Sequence, residues 1–201
     1  MLVKKRGFYF SKKELHDLVK AWFILSLAFA IVFNGLTYGS EFVIAFVVSA
    51  ITVGTAFIFH EIGHKFVAQH YGCIAEFRSF DNMLWLALLL SFFGFIFAAP
   101  GAVIISGPMG KRRNGKISAM GPGINLVLAF VFLLLFFSFG DSAVRIIAYY
   151  GFLVNSWLGL FNLLPFAMFD GKKILNWNKV VYGLMVAVAF VFMSMQSFVG
   201  L

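Results

Sequence analysis

Two histidines and a glutamate, in the order His60-Glu61-Ile62-Gly63-His64, stand inside an apolar run from Phe42 to roughly Val67. On a helix the i and i+4 positions share a face, so the two imidazoles can grip one Zn²⁺ ion. Glu61 then lies close enough to handle a metal-activated water. The chemistry this spacing points to is zinc-assisted hydrolysis inside a bilayer. The same pattern also arises by chance in helices that bind nothing, and it gains meaning only with a third ligand. Its setting tips the balance, because ionisable groups are costly to hold at membrane depth and those kept there usually serve a function.

Composition fixes the class of protein that must position these groups. Of 201 residues, 62% are hydrophobic and only 12% charged, with 28 Phe and a mean hydropathy of +0.94. Such a chain belongs in a membrane. Nearly every residue is then span or short connection. No Ser/Pro-rich linker, internal repeat or long polar stretch marks a second unit, so the chain reads as a single domain over residues 1–201. The net charge of +8 would suggest nucleic acid in a soluble protein. Here the basic residues sit in clusters between apolar runs: Lys4, Lys5, Arg6, Lys12, Lys13 and Lys20; then Lys111, Arg112, Arg113 and Lys116; then Lys172, Lys173 and Lys179. Clusters of this kind mark cytoplasmic loops and attract anionic headgroups, so the bilayer is the expected partner and nucleic acid is not. Cys73 is the only cysteine, which excludes an intrachain disulfide and a cysteine-built zinc site.

Charge and hydropathy together predict an all-α polytopic protein of about five transmembrane helices. The first span runs from Ala21 to about Tyr38, entered from a basic amphipathic segment containing Phe8, Phe10, Leu15 and Leu18. The positive-inside rule sets the N-terminus in the cytoplasm and Gly39-Ser40-Glu41 outside. The second span runs inward from Phe42, bringing His60 and His64 near its cytoplasmic end at about 1.5 Å per residue, and stops at Gly72, a helix-ending glycine. The run from Leu84 to Ile105 follows an inward span yet precedes Lys111-Arg112-Arg113, so both its ends want one side. A re-entrant segment satisfies that, with Ala98-Ala99-Pro100-Gly101 as a chain reversal and Ala102–Ser106 as a short strand. Non-helical backbone at that depth must be covered by protein or line a water-filled cavity, which sets it against a groove. Spans over about Ile117–Phe139, Ala143–Phe166 and Val180–Val199 follow, with Asp170 to Lys179 as a cytoplasmic loop. Asp170 is thereby expected at the same side and nearly the same depth as His60 and His64, about 110 residues away. An Asp-Gly before two lysines is, taken alone, an ordinary turn or helix cap.

Three motifs in this order carry a resemblance: His60-Glu61-Ile62-Gly63-His64, then Gly121-Pro122-Gly123-Ile124-Asn125, then Asn162-Leu163-Leu164-Pro165-Phe166-Ala167-Met168-Phe169-Asp170-Gly171. Over about residues 42–180 the chain resembles the site-2 protease family of intramembrane zinc metalloproteases. Met168 and Lys172 depart from that family's usual Pro and Gly, and neither is a ligand. The resemblance implies a membrane-associated β-hairpin region between the second and third spans, covering Arg78 to Ser106. It also implies one catalytic Zn²⁺ held by His60, His64 and Asp170, whose two nitrogens and one oxygen leave a fourth tetrahedral position open. Glu61 would serve as the general base and acid, and Asn162 would stand near the developing oxyanion. Two roles are open to Asn125. It contacts the substrate backbone, the reading adopted here, or it satisfies backbone groups freed by Pro122.

The expected activity is hydrolysis of a peptide bond within or near the transmembrane segment of another membrane protein, with release towards the cytoplasm and the site nearer that side. Substrates of this class are often membrane-anchored regulators, as in regulated intramembrane proteolysis. The short chain suits a prokaryotic cell membrane. A zinc transporter could also place His and Asp within spans, yet it has no use for Glu61 beside both histidines. An inactive membrane scaffold would be expected to lack a ligand or the base, and all are present. Nothing in the sequence fixes the oligomeric state.

Overall fold

The computed structural model describes residues 8–35, 39–96, 100–166 and 169–199. Helix α1 covers Lys12–Asn34, and its start is written in a capping box. Ser11 Oγ accepts from the Glu14 amide at 3.2 Å, and the Glu14 carboxylate accepts from the Ser11 amide at 3.3 Å. The amphipathic entry segment is continuous with the first span. From Lys12 onward it forms the first turns of α1, with Glu14, Asp17 and Leu18 turned to the protein interior.

The second apolar run is one helical rod of 31 residues, Ser40–His70, about 46 Å long at 1.5 Å per residue and so longer than a bilayer's hydrocarbon core. It comprises α2 (Ser40–Ser49), a π-helical turn (Ala50–Gly54) and α3 (Thr55–His70). A π turn displaces the regular hydrogen-bond ladder and exposes backbone carbonyls to outside donors. The Trp22 indole N–H from α1 donates to the Ala50 carbonyl at 3.1 Å, and the absence of a side chain on Gly54 makes room for that indole. The rod ends at His70, and Gly72 turns the chain with a φ of 76°.

Strand β1 (Ile74–Ser79) pairs antiparallel with β2 (Gly101–Ser106), in a register that sets Ile74 opposite Ser106 and Phe77 opposite Val103. Between them lies α4 (Asp81–Ser91), so the short strand expected at Ala102–Ser106 has a partner that begins upstream of Arg78. The expected reversal at Ala98-Ala99-Pro100-Gly101 falls partly outside the described residues, as do Lys4, Lys5, Arg6 and Tyr38.

Helix α5 spans Lys111–Ser138 with Pro122 inside it, and α6 spans Ala143–Asn162 behind a Ser142 cap. The segment expected to be a loop from Asp170 to Lys179 is mostly helical instead. It forms α7 (Asp170–Trp177), with Asp170 in the first turn, where a carboxylate favours the helix dipole. Helix α8 (Lys179–Met195) follows at once, its first amides capped by Asn178 Oδ1 at 2.9 and 3.1 Å.

The protein is thus mostly helical, with one two-stranded sheet among the described residues. Among the described residues four helical runs are long and apolar enough to cross a membrane: α1, the Ser40–His70 rod, α5 and α6; α4 and α8 are apolar but shorter. One core joins α5, α6, α7 and α8 through Leu126, Phe136, Phe152, Ile174 and Phe192. A second joins α1, α3, β1 and α4 through Leu18, Leu25, Phe57, Phe77 and Leu84. Helix α3 packs against both halves, which sets its polar residues at the seam.

Candidate metal centre

His60 and His64 lie one turn apart on α3, buried, and face α5 and α7. Gly121 on α5 permits that approach: a Cβ there would sit 2.6 Å from His60 Nε2 and would overlap the His64 ring as well. Gly63, between the histidines, similarly leaves room for the Ile124 side chain. The two Nε2 atoms are 3.0 Å apart. Asp170 Oδ2, from the first turn of α7, stands 3.0 Å from His64 Nε2 and 3.5 Å from His60 Nε2. Gly171 holds α7 in place because it tolerates the Leu163 and Leu164 carbonyls at the end of α6, where any side chain would collide.

Hydrogen bonds on the far side of each ring decide what the near side can do. His64 Nδ1 lies 2.8 Å from the Ile117 carbonyl, which can only accept, so Nδ1 carries the proton and Nε2 a lone pair. For His60 the logic runs through two amides. Asn155 Nδ2 donates to the Gly151 carbonyl at 2.9 Å, which turns Asn155 Oδ1 towards Asn125. Asn125 Nδ2 then donates to Asn155 Oδ1 at 3.1 Å and to the Ala56 carbonyl at 3.2 Å, leaving Asn125 Oδ1 to face His60 Nδ1 at 2.6 Å. His60 Nδ1 must donate, and its Nε2 also presents a lone pair.

Two nitrogen lone pairs and a carboxylate oxygen therefore converge in a buried site, an arrangement that repels itself unless a cation or proton sits among them. Their separations of 3.0–3.5 Å match the edge of about 3.3 Å in a tetrahedron with metal–ligand bonds of about 2.0 Å. The three residues could hold a metal ion, and the hydrogen-bonded outer sides of both rings are those of a supported ligand pair. Glu61 is also buried, and its Oε2 finds no hydrogen-bond partner among the described residues. The Val103 backbone N–H of β2 faces the same carboxylate. Lys173, one turn into α7, contacts the other Asp170 oxygen, Oδ1, at 3.4 Å.

Similar proteins carry names that point to zinc. No family profile matches the chain, and no solved structure matches it. Among curated proteins, "Putative zinc metalloprotease MJ0611" of Methanocaldococcus jannaschii is 40% identical over 180 residues, covering 88% of this chain and 91% of that protein. The chain belongs to this zinc metalloprotease family. "Zinc metalloprotease MJ0392" of the same organism is 26% identical over 165 residues, covering 81% of this chain but 41% of that longer protein.

Of the residues singled out from the sequence of this metalloprotease, His60, Glu61, His64 and Asp170 come together. The Asn125 amide is engaged within the protein, behind one of the histidines. The residue is fully buried, and its amide engages His60, Ala56 and Asn155 rather than the backbone freed by Pro122. Asn162 sits at the end of α6, beside the Leu163 carbonyl that packs on Gly171. Its Nδ2 donates to the Leu158 carbonyl of its own helix at 2.9 Å. Sequence reasoning passed over Asn155, although a second asparagine two turns before Asn162 in an apolar run is the kind of polar residue a membrane helix keeps for a purpose.

Proposed function

We propose that this protein is an intramembrane zinc metalloprotease of the site-2 type, cutting a transmembrane segment of another membrane protein near its cytoplasmic end. The observation that carries this reading is the buried convergence of His60 Nε2, His64 Nε2 and Asp170 Oδ2 beside Glu61, whose Oε2 has no hydrogen-bond partner among the described residues, within apolar helices. A zinc ion on these three ligands would supply Lewis acidity to the scissile carbonyl and to the attacking water. Glu61 takes the proton from that water and returns it to the departing amine, the work of a buried carboxylate with one oxygen free. Asn162, released from Leu158, stabilises the developing oxyanion from the end of α6.

A peptide bond inside a helix hides its carbonyl, so the substrate must unwind locally and enter as an extended strand. Strand β2 is the natural acceptor. In the observed register Phe77 and Ala75 of β1 direct backbone groups away from β2. Their partners Val103 and Ile105 therefore direct their own N–H and C=O groups away from β1, on the side where Val103 meets Glu61. A strand added along that edge would present its carbonyls to the metal ligands. Topology follows from charge: α1, the Ser40–His70 rod, α5, α6 and α8 serve as five spans, with α4 re-entrant and the basic clusters in the cytoplasm of a prokaryotic cell.

Purified protein loaded with zinc should cleave a transmembrane peptide containing a helix-breaking segment, in detergent or bicelles. Free cutting of soluble peptides with no cleavage of any membrane peptide would overturn the substrate class. Zinc flux into proteoliposomes without peptidase activity would replace the enzyme by a transporter.

A further inference from the structure

Glu14 and Lys65 form an ion pair with no part in the chemistry above, and both side chains are almost fully buried, at 0% and 1% exposure. Two charges withdrawn from water are a weak source of net stability, so such a pair invites the question of what it positions. Glu14 is held from three directions. In the capping box of α1 its backbone N–H donates to Ser11 Oγ, and its Oε2 accepts from the Ser11 amide. Lys65, the residue after His64, ion-pairs with Oε2 and is itself roofed by Phe10, Tyr9 and Phe8, with ring centroids 4.2, 5.3 and 5.8 Å from Nζ. The remaining oxygen, Oε1, accepts the backbone N–H of Phe77 in β1 at 2.9 Å.

That last bond lies on the outer edge of β1, the side away from β2. The neighbouring outward groups are closed as well: Gln69 Nε2 donates to the Ala75 carbonyl at 3.2 Å, and Arg78 donates to the Phe77 carbonyl at 2.8 Å. A two-stranded sheet has two edges, and an open edge is a template for any extended chain. Here three side chains occupy one edge, while the outward groups of Ile105 on the other are engaged by no side chain among the described residues.

We propose that Glu14, locked by Lys65, is a positioning residue that anchors β1 to the histidine-bearing helix, so that only β2 can receive an extended substrate, at a fixed distance from His64. This rests on the reading of β2 as the substrate-accepting strand. Its consequence is that loss of the Glu14–Phe77 bond weakens substrate capture and leaves the chemical step intact.

Removing one charge alone would strand the other in the interior and endanger folding, so the test uses paired variants. Glu14→Gln with Lys65→Met removes both charges but keeps an oxygen for the Phe77 amide. Glu14→Met with Lys65→Met removes that acceptor as well. With the zinc-loaded protein and a helix-broken transmembrane peptide, the Gln/Met pair should keep KM within about twofold of the parent. The Met/Met pair should raise KM by about tenfold, the order expected for one lost backbone hydrogen bond, with kcat and zinc content unchanged and faster hydrogen exchange at the Phe77 amide. Equal KM in the two pairs would overturn the proposal, as would a fall in kcat or zinc content that tracks the KM change. A peptide N-methylated at the residues flanking the scissile bond tests the underlying reading separately. If the parent binds it as well as the unmodified peptide, the β2 pairing fails and the proposal with it; sensitivity to N-methylation combined with equal KM in both pairs defeats the Glu14 role alone.

Discussion

Replacing Asn125 by Leu should weaken metal binding as well as the fold. The substitution conserves volume but removes the oxygen that accepts from His60 Nδ1 at 2.6 Å and the donor that serves Asn155 at 3.1 Å. Three things follow inside a site with no exposure at Asn125 or Asn155. His60 Nδ1–H and Asn155 Oδ1 are left unpaired at about 1–3 kcal/mol each. The His60 ring loses the contact that fixes its tautomer, so a fraction of the protein carries the proton on Nε2, where it blocks coordination. The ring is also freer to turn. Loss of a hydrogen-bond partner behind a ligating histidine weakens metal binding about 10–100-fold, or about 1.4–2.7 kcal/mol. Competition with a chromophoric zinc chelator measures this directly, and the absorption of the cobalt(II)-substituted protein reports whether the site stays tetrahedral. Asn125→Asp is the control. It restores an acceptor to His60 but sets oxygen against the Ala56 carbonyl and Asn155 Oδ1, so it should hold zinc within a few-fold of the parent while lowering thermal stability. If Asn125→Leu binds zinc as tightly as the parent, the two-amide relay does not govern His60 and the tautomer argument is wrong.

Four further outcomes test the site. Glu61→Gln should keep zinc and lose nearly all turnover, since His60, His64 and Asp170 remain while the proton acceptor is gone; metal analysis beside peptide cleavage checks it. Asp170→Ala should instead weaken zinc binding itself, because two histidines cannot fix an open tetrahedral site; chelator competition decides it. Gly121→Ala should act like neither, forcing a methyl to within 2.6 Å of His60 Nε2 and costing stability of about 1–3 kcal/mol together with metal, read from thermal unfolding with and without zinc. Asn162→Ala should leave the metal bound and slow kcat by about 10²-fold if its amide swings from Leu158 to the oxyanion; an unchanged kcat would leave Asn162 as a helix-end residue only.

The parts of this protein legible in its sequence are those in which one residue type at one spacing has few physical meanings. Apolar runs of span length reveal the helices because nothing else hides a backbone from lipid, and the i, i+4 histidine pair reveals a shared face because 3.6 residues make a turn. What escaped is relational. Helix α7 was hidden because Asp170-Gly171-Lys172-Lys173 carries the composition of a turn, and only its docking against the Leu163 and Leu164 carbonyls makes it the first turn of a helix. Strand β1 was half hidden because Ile74-Ala75-Glu76-Phe77-Arg78-Ser79 lacks a long β-branched run and depends on β2, more than twenty residues later, for its ladder. Asn125 illustrates the limit best. Its polarity required a partner, and it has three. Which partner it takes is set by whether Ala56 and Asn155, on two other helices, present an acceptor at the same point. A sequence states which groups must be satisfied at membrane depth, and only the packing of α3, α5 and α6 decides that His60 is the group Asn125 satisfies.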